Sequence, residues 1–108
     1  MQWTLDTNLI DGTRRVVPTG ELDLVTAPLL ARALVEAERA GDGDSPIVLD
    51  LTGVTFMDSS GLAAVLEAVQ RGEEHGGPGR LGIVPGEGVV VRVLQLADLM
   101  DSLPLVAP

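Results

Sequence analysis

One stretch of this chain constrains its fold more than any other. Ile47-Val48-Leu49-Asp50-Leu51 is apolar almost throughout and β-branched at its start, the pattern of a central strand covered on both faces. Helical spacing appears on either side of it. Upstream, Leu30, Ala33, Leu34 and Ala37 fall at i, i+3, i+4 and i+7, and Arg32, Glu36 and Arg39 lie away from that stripe. Downstream, Leu62, Val65, Leu66 and Val69 form an inner face and Glu67, Gln70, Arg71 and Glu74 an outer one, with Glu67 and Arg71 ordered for an i,i+4 pair. A strand between two helices calls for parallel neighbours, which only crossover connections can supply.

The remaining segments fill in that frame. Trp3-Thr4-Leu5-Asp6 reads as an edge strand and Asp11-Gly12 as a hairpin turn. Residues 14–19 form the second strand, and Pro18, which cannot donate to a ladder, places this hairpin at the edge of a sheet. Thr26 is the N-cap candidate of the first helix, with Pro28 in its first turn and a stop near Gly41. Asp42-Gly43-Asp44-Ser45-Pro46 is a solvated turn. It fails as a calcium loop, because Ile47 stands where glycine is required and Gly53 where glutamate is. Residues 52–60 read as a loop, the second helix begins near Ser60, and Gly76-Gly77-Pro78-Gly79 ends it. Leu81-Gly82-Ile83-Val84 is a strand and Pro85-Gly86-Glu87-Gly88 a turn. Residues 89–97 carry both signals: three stiff valines favour a strand, whereas Val90, Val93, Leu94 and Ala97 have helical spacing. The order of elements decides for a helix. Leu103-Pro104-Leu105-Val106 is one more short strand. The expectation is a single α/β domain over residues 1–108, with a mixed β-sheet, an antiparallel edge strand and helices packed mainly on one side.

Composition removes whole classes of function. There is no cysteine, so disulfides, thiolate metal sites and cysteine nucleophiles are excluded. His75 is the sole histidine, which excludes a multi-histidine metal cage. All seven basic residues are arginine, so Schiff-base chemistry and a P-loop lysine are excluded too. A net charge of −9 repels nucleic acid and anionic lipid and favours a protein partner with a basic face. No run approaches the ~18 apolar residues of a membrane span. The start of the chain lacks a basic segment followed by an apolar one. The expectation is a cytoplasmic protein.

Two polar clusters remain. Asp58-Ser59-Ser60-Gly61 lies at the start of the second helix, where α/β sheets present their ligands and partners. The plain reading is a helix cap, for which aspartate and serine are both preferred. A nucleophilic serine is the sharper reading, and it fails. Met57 stands two before Ser59 and Leu62 two after Ser60, so neither serine sits in G-x-S-x-G. His75 lies at the far end of the helix, ~20 Å away at ~1.5 Å per residue, where it complements the helix dipole. The second cluster is Gly20-Glu21-Leu22-Asp23-Leu24, a solvated bend or, with Asp58, an acidic surface beside the serines. A paired-carboxylate enzyme built on Asp23 and Asp58 lacks a base and an aromatic platform, since Trp3 and Phe56 are the only aromatic residues.

Together the clusters resemble a known family. Gly20-Glu21-Leu22-Asp23-Leu24 with Thr26-Ala27-Pro28 is similar to the opening motif of STAS domains. Ile47 to Leu51, then Val54 and Phe56-Met57-Asp58-Ser59-Ser60-Gly61-Leu62, resembles that family's central strand and signature loop. The likeness runs from about residue 2 to 106 and is nearest to bacterial anti-sigma factor antagonists. It implies a non-enzymatic protein, without cofactor or metal, that binds an anti-sigma factor serine kinase and so frees a sigma factor. The kinase would phosphorylate Ser59 and eject the antagonist, and a serine phosphatase would reset it. Glu21, Asp23, Asp58, Ser59, Ser60 and Gly61 would form the partner-binding site. The alternative is a STAS scaffold or accessory subunit of a transport complex, never phosphorylated. Two departures from the family pattern are expected: the C-terminal helix is absent or shortened, and Asp98 stands where glycine is common.

Overall fold

The computed structural model describes residues 3–40, 45–76 and 80–108, with only the backbone of His75 and Gly76. Strands β1 (Trp3–Ile10) and β2 (Thr13–Leu22) form an antiparallel hairpin, and β1 is the sheet edge. Asp11 and Gly12 connect them with φ values of 51° and 81°, the left-handed pair that a two-residue hairpin turn requires. Helix α1 (Ala27–Arg39) then leads to β3 (Ile47–Asp50). Strand β4 (Val54–Met57), helix α2 (Ser59–Arg71), a single π-helical turn (Gly72–Gly76), β5 (Leu81–Val84) and α3 (Val89–Leu96) complete the order. In the sheet, β2 lies between β1 and β3, and β5 pairs parallel with β3.

The hairpin lies at the sheet edge, as expected, with β1 outermost, while β2 itself is interior and carries Pro18 inside the sheet. Its residues 14–16 pair parallel with β3, and its residues 20–22 pair parallel with β4. Pro18 falls between the two pairings, where β2 changes partner and no parallel ladder bond needs its missing N–H. The segment expected as a loop over 52–60 therefore contains β4. A turn at residues 51–53 separates β4 from β3, fixed by Asp50 Oδ1 accepting from the Thr52 N–H and hydroxyl at 3.0 and 2.7 Å. Burial raises the Asp50 pKa, but these bonds and the Arg15 guanidinium outweigh it and hold the carboxyl below its ordinary value.

Helices α1, α2 and α3 join the sheet in one apolar cluster with Val16, Ile47, Leu49, Leu81 and Ile83. These strand residues alternate with half-buried Val17 and Val48, so the helices share one face of the sheet. The opposite face is only partly covered, and β3 is half-buried there at Val48 and Asp50 rather than sealed on both faces. The C-terminal segment supplies part of that cover. Ile83 donates to Pro104 O and Val106 donates to Ile83 O, both at 2.8 Å. The strand expected at 103–106 is thus a single bridge at Leu105.

Helix α1 buries Leu30, Leu34 and Ala37 as its spacing predicts. Helix α2 starts one residue earlier than expected and buries Gly61, Ala64, Val65, Ala68 and Val69. Leu66, expected on that face, is only half-buried. The small residues let α2 approach the sheet and α1 closely, and this rotates Leu66 to the flank. Helix α3 ends in a closed cap: the Asp98 N–H donates to Gln95 O at 3.1 Å and the Leu99 N–H to Leu94 O at 2.9 Å. Asp98 carries φ of 58° there, which is why glycine suits this position.

Two stability outcomes follow from these assignments. Leu34→Ala should cost ~2–5 kcal/mol through lost transfer and cavity terms, and Leu66→Ala clearly less, as read by urea midpoints. Equal losses would refute the rotated face of α2. Asp98→Gly should raise stability by up to ~1 kcal/mol, because a left-handed residue with a Cβ is strained by about that much. A lower melting temperature for that variant would contradict the cap geometry.

Candidate functional site

The two polar clusters meet because β2 and β4 run side by side to their carboxyl ends. Gly20 has φ of 109° at a register shift between Gly20 and Glu21. This bulge, open to glycine, re-aims the end of β2 toward β4. The Asp58 N–H then donates to Leu22 O at 3.2 Å. The first turn of α2 closes on the same carbonyl. A Cβ built on Gly61 would lie 2.6 Å from Leu22 Cγ and 2.8 Å from Leu22 O, inside any real contact. Gly61 is therefore the residue that lets α2 begin where it does.

Asp58 is the N-cap of α2. Its Oδ1 accepts from the Ser60 N–H at 2.9 Å and the Gly61 N–H at 3.1 Å. The cap reading of this cluster thus holds for Asp58, while Ser59 is the first helical residue. Ser59 is exposed, and its hydroxyl makes no hydrogen bond among the described residues. Ser60 is half-buried and lines a groove with Leu24, Ala27 and Pro28.

Asp23 organises the neighbouring loop. Its Oδ1 accepts from the N–H groups of Val25 at 3.0 Å and Thr26 at 3.1 Å. The Thr26 N–H holds the carboxyl below its ordinary 3.8, burial opposes this, and the Val25 N–H adds to the lowering. Because the folded pKa is depressed, the loop is held firmly above that value and loosens as acid protonates Asp23. Thr26, expected to cap α1 through its side chain, does not do so. Its hydroxyl donates backward to Glu21 O at 2.7 Å and accepts from the Asp23 N–H at 2.9 Å. Glu21 stands beside Phe56 in the β2–β4 register, and its buried Oε2 has no hydrogen-bond partner among the described residues.

Asp23, Asp58, Ser59, Ser60 and Gly61 are thus brought together at one end of the domain, with Glu21 one strand position away. Both aspartates are engaged by backbone N–H groups of their own loops, which gives each a structural role. His75 lies beyond the far end of α2, in the π-helical turn, and its side chain is outside the described residues. No group of three or more metal-ligating side chains occurs among the described residues.

Sequence reasoning missed the apolar part of the site. Leu24, which lines the Ser60 groove, is 75% exposed, and Val25 and Leu29, next in sequence to the lining residues Leu24 and Pro28, are 76% and 43% exposed. The readable signal was two adjacent apolar residues inside a tight acidic loop, where folding has no use for them.

The profile of the STAS domain family matches residues 4–107. This chain belongs to the STAS domain family. The crystal structure of an anti-sigma factor antagonist from Mycobacterium paratuberculosis is 31% identical, with 99% of this chain and 86% of that one covered at a TM-score of 0.79. The anti-sigma factor antagonist SpoIIAA in its unphosphorylated form is 22% identical, with 99% and 88% covered at a TM-score of 0.72. The murine anion transporter Solute Carrier 26 family member A9 is 15% identical, with 91% of this chain and 16% of that one covered at a TM-score of 0.70. The last two likenesses show the fold. Among the described residues no helix is long and apolar enough to cross a membrane.

Gly61→Ala should destabilise the STAS domain by ~1–3 kcal/mol, the usual cost of overpacking a closed contact. Chemical denaturation checks this, and an unchanged midpoint would show that the first turn of α2 does not rest on Leu22.

Proposed function

We propose that this STAS domain is an anti-sigma factor antagonist that binds an anti-sigma factor serine kinase and is released when Ser59 is phosphorylated. The observation that carries the reading is the exposed Ser59 hydroxyl at the first position of α2, without a hydrogen bond among the described residues, next to Ser60, which lines a groove with the exposed Leu24. The 31% likeness to an anti-sigma factor antagonist supports it.

The chemistry suits a switch. The kinase transfers the γ-phosphoryl group of ATP to Ser59 Oγ, ADP leaves, and the hydroxyl proton passes to a base of the kinase. The product gains about −1.5 to −2 charges. A helix N-terminus tolerates an anion through its N–H groups and dipole, so the fold survives. The interface does not, because the phosphate stands beside Asp58 and a desolvated contact now carries unpaired charge. A serine phosphatase hydrolyses the ester and restores binding. Glu21, Asp23, Asp58, Ser60 and Gly61 complete the surface, with Asp23 and Asp58 keeping its two loops in shape.

Ser59→Ala should keep partner affinity, abolish phosphorylation and change stability by no more than ~0.5 kcal/mol, since Asp58 supplies the cap. Ser59→Asp should weaken binding tenfold or more, about 1.4 kcal/mol, with an unchanged fold by circular dichroism. Ser60→Ala should still accept one phosphate. Isothermal titration with the cognate kinase reads the affinities, and intact mass after reaction with kinase and ATP reads the phosphate. Equal affinities of wild type and Ser59→Asp would contradict the switch and favour a STAS scaffold that is not regulated by phosphate.

A further inference from the structure

At the opposite end of the helices the domain holds a second concavity, of about 370 Å³, between the last turns of α1 and α2 and the starts of β3 and β5. That volume lies within the range of small-molecule sites. Its floor is apolar, formed by Leu34, Ile47, Ala68 and Leu81. Its rim is cationic: Arg39, Arg71 and Arg80 line it with one carboxylate, Glu38, among the described residues. Three of the seven arginines of a chain with net charge −9 are thus gathered at one cavity.

The arginines differ in how they are compensated. Arg71 grips Glu38 through Nε at 2.9 Å and Nη2 at 3.0 Å, so these two charges cancel. Arg80 donates only to backbone carbonyls, Nη2 to Glu38 O at 2.7 Å and Nε to Ser45 O at 3.2 Å. Its orientation is fixed while its charge is left uncancelled by any carboxylate among the described residues. Each guanidinium has five donor hydrogens, so Arg80 keeps three for a ligand. Arg39 is exposed and has no ion-pair partner among the described residues. Holding α1 and β5 together explains the two carbonyl bonds of Arg80. It does not explain an open apolar cavity beneath two cations that no carboxylate compensates among the described residues.

We propose that this cavity binds an amphipathic carboxylate, with an alkyl body on the Leu34–Ile47–Ala68–Leu81 floor and the carboxylate on Arg80 and Arg39. Neither group belongs to the Ser59 surface, and the proposal stands independently of the phosphorylation reading.

Octanoate is the probe, with octanol and acetate as partial probes that lack the charge or the alkyl body. Heteronuclear NMR titration of the intact domain should show saturable octanoate shifts at Ile47, Ala68, Leu81 and Arg80, and none at Ser59 or Ser60. Octanol and acetate should bind at least tenfold more weakly. Arg39→Glu, at an exposed position, should lower octanoate affinity at least fivefold while the remaining spectrum stays native. Arg80→Gln should lower it further, and its folding is checked in the same spectrum. Equal binding of octanol, shifts centred elsewhere, or full affinity in folded Arg39→Glu and Arg80→Gln would overturn the proposal.

Discussion

Everything at the Ser59 end of this domain depends on how closely the first turn of α2 rests on Leu22. The absence of a side chain at Gly61 permits the contact, and the Asp58 N–H bonded to the Leu22 carbonyl fixes it. From that one junction the rest follows. Strand β4 lies along the end of β2, the Asp58 carboxylate reaches back over the helix terminus, and Ser59 is left outside it. The same junction sets the depth of α2, so that alanines and valines, rather than leucines, face the core.

The two acidic loops at this end of the domain are held in shape by their own backbone. Asp23 and Asp58 are neighbours of Ser59 in the fold, each tied to backbone N–H groups of its own loop, and at Asp23 these hold the carboxyl below its ordinary value. Under the proposed switch their charge matters to what can approach: a phosphate on Ser59 would add to a site already negative, whereas the neutral serine would leave the exposed Leu24 to direct contact. Several arginines, by contrast, sit elsewhere. Arg15 pairs with Asp50 on the open face of the sheet, and Arg71 and Arg80 tie the far ends of the helices.

Much of this was legible in the residues. Long-period apolar spacing identified α1, and a continuous apolar run identified β3 and β5. The valine-rich segment 89–97 was resolved by the order of elements rather than by local stiffness, and α3 occupies Val89–Leu96. Strand β4 was not legible, because its two middle residues are exposed and only Val54 and Met57 are buried. That pattern carries no period of two. Leu66 was misplaced because large residues dominate a hydrophobic template, while the burial of α2 rests on small ones. Thr26 looked like a cap because threonine at a helix start usually is one, and only coordinates reveal that its hydroxyl turns back to Glu21. Asp98 was flagged by its departure from a family pattern, and its left-handed φ gives that departure a physical meaning. The site residues themselves were legible as a motif, but Leu24, Val25 and Leu29 became visible as a surface only in the fold.

The central claim is that Ser59, held outside the cap of α2, is the point at which a kinase controls this domain. Reaction of the wild-type chain with its cognate anti-sigma factor kinase and ATP, followed by intact mass and fragment mapping, tests it most directly. The account predicts one added phosphate, located on Ser59, and dissociation of the complex in step with its appearance. A phosphate on Ser60, or a complex that persists after Ser59 is fully modified, would contradict it.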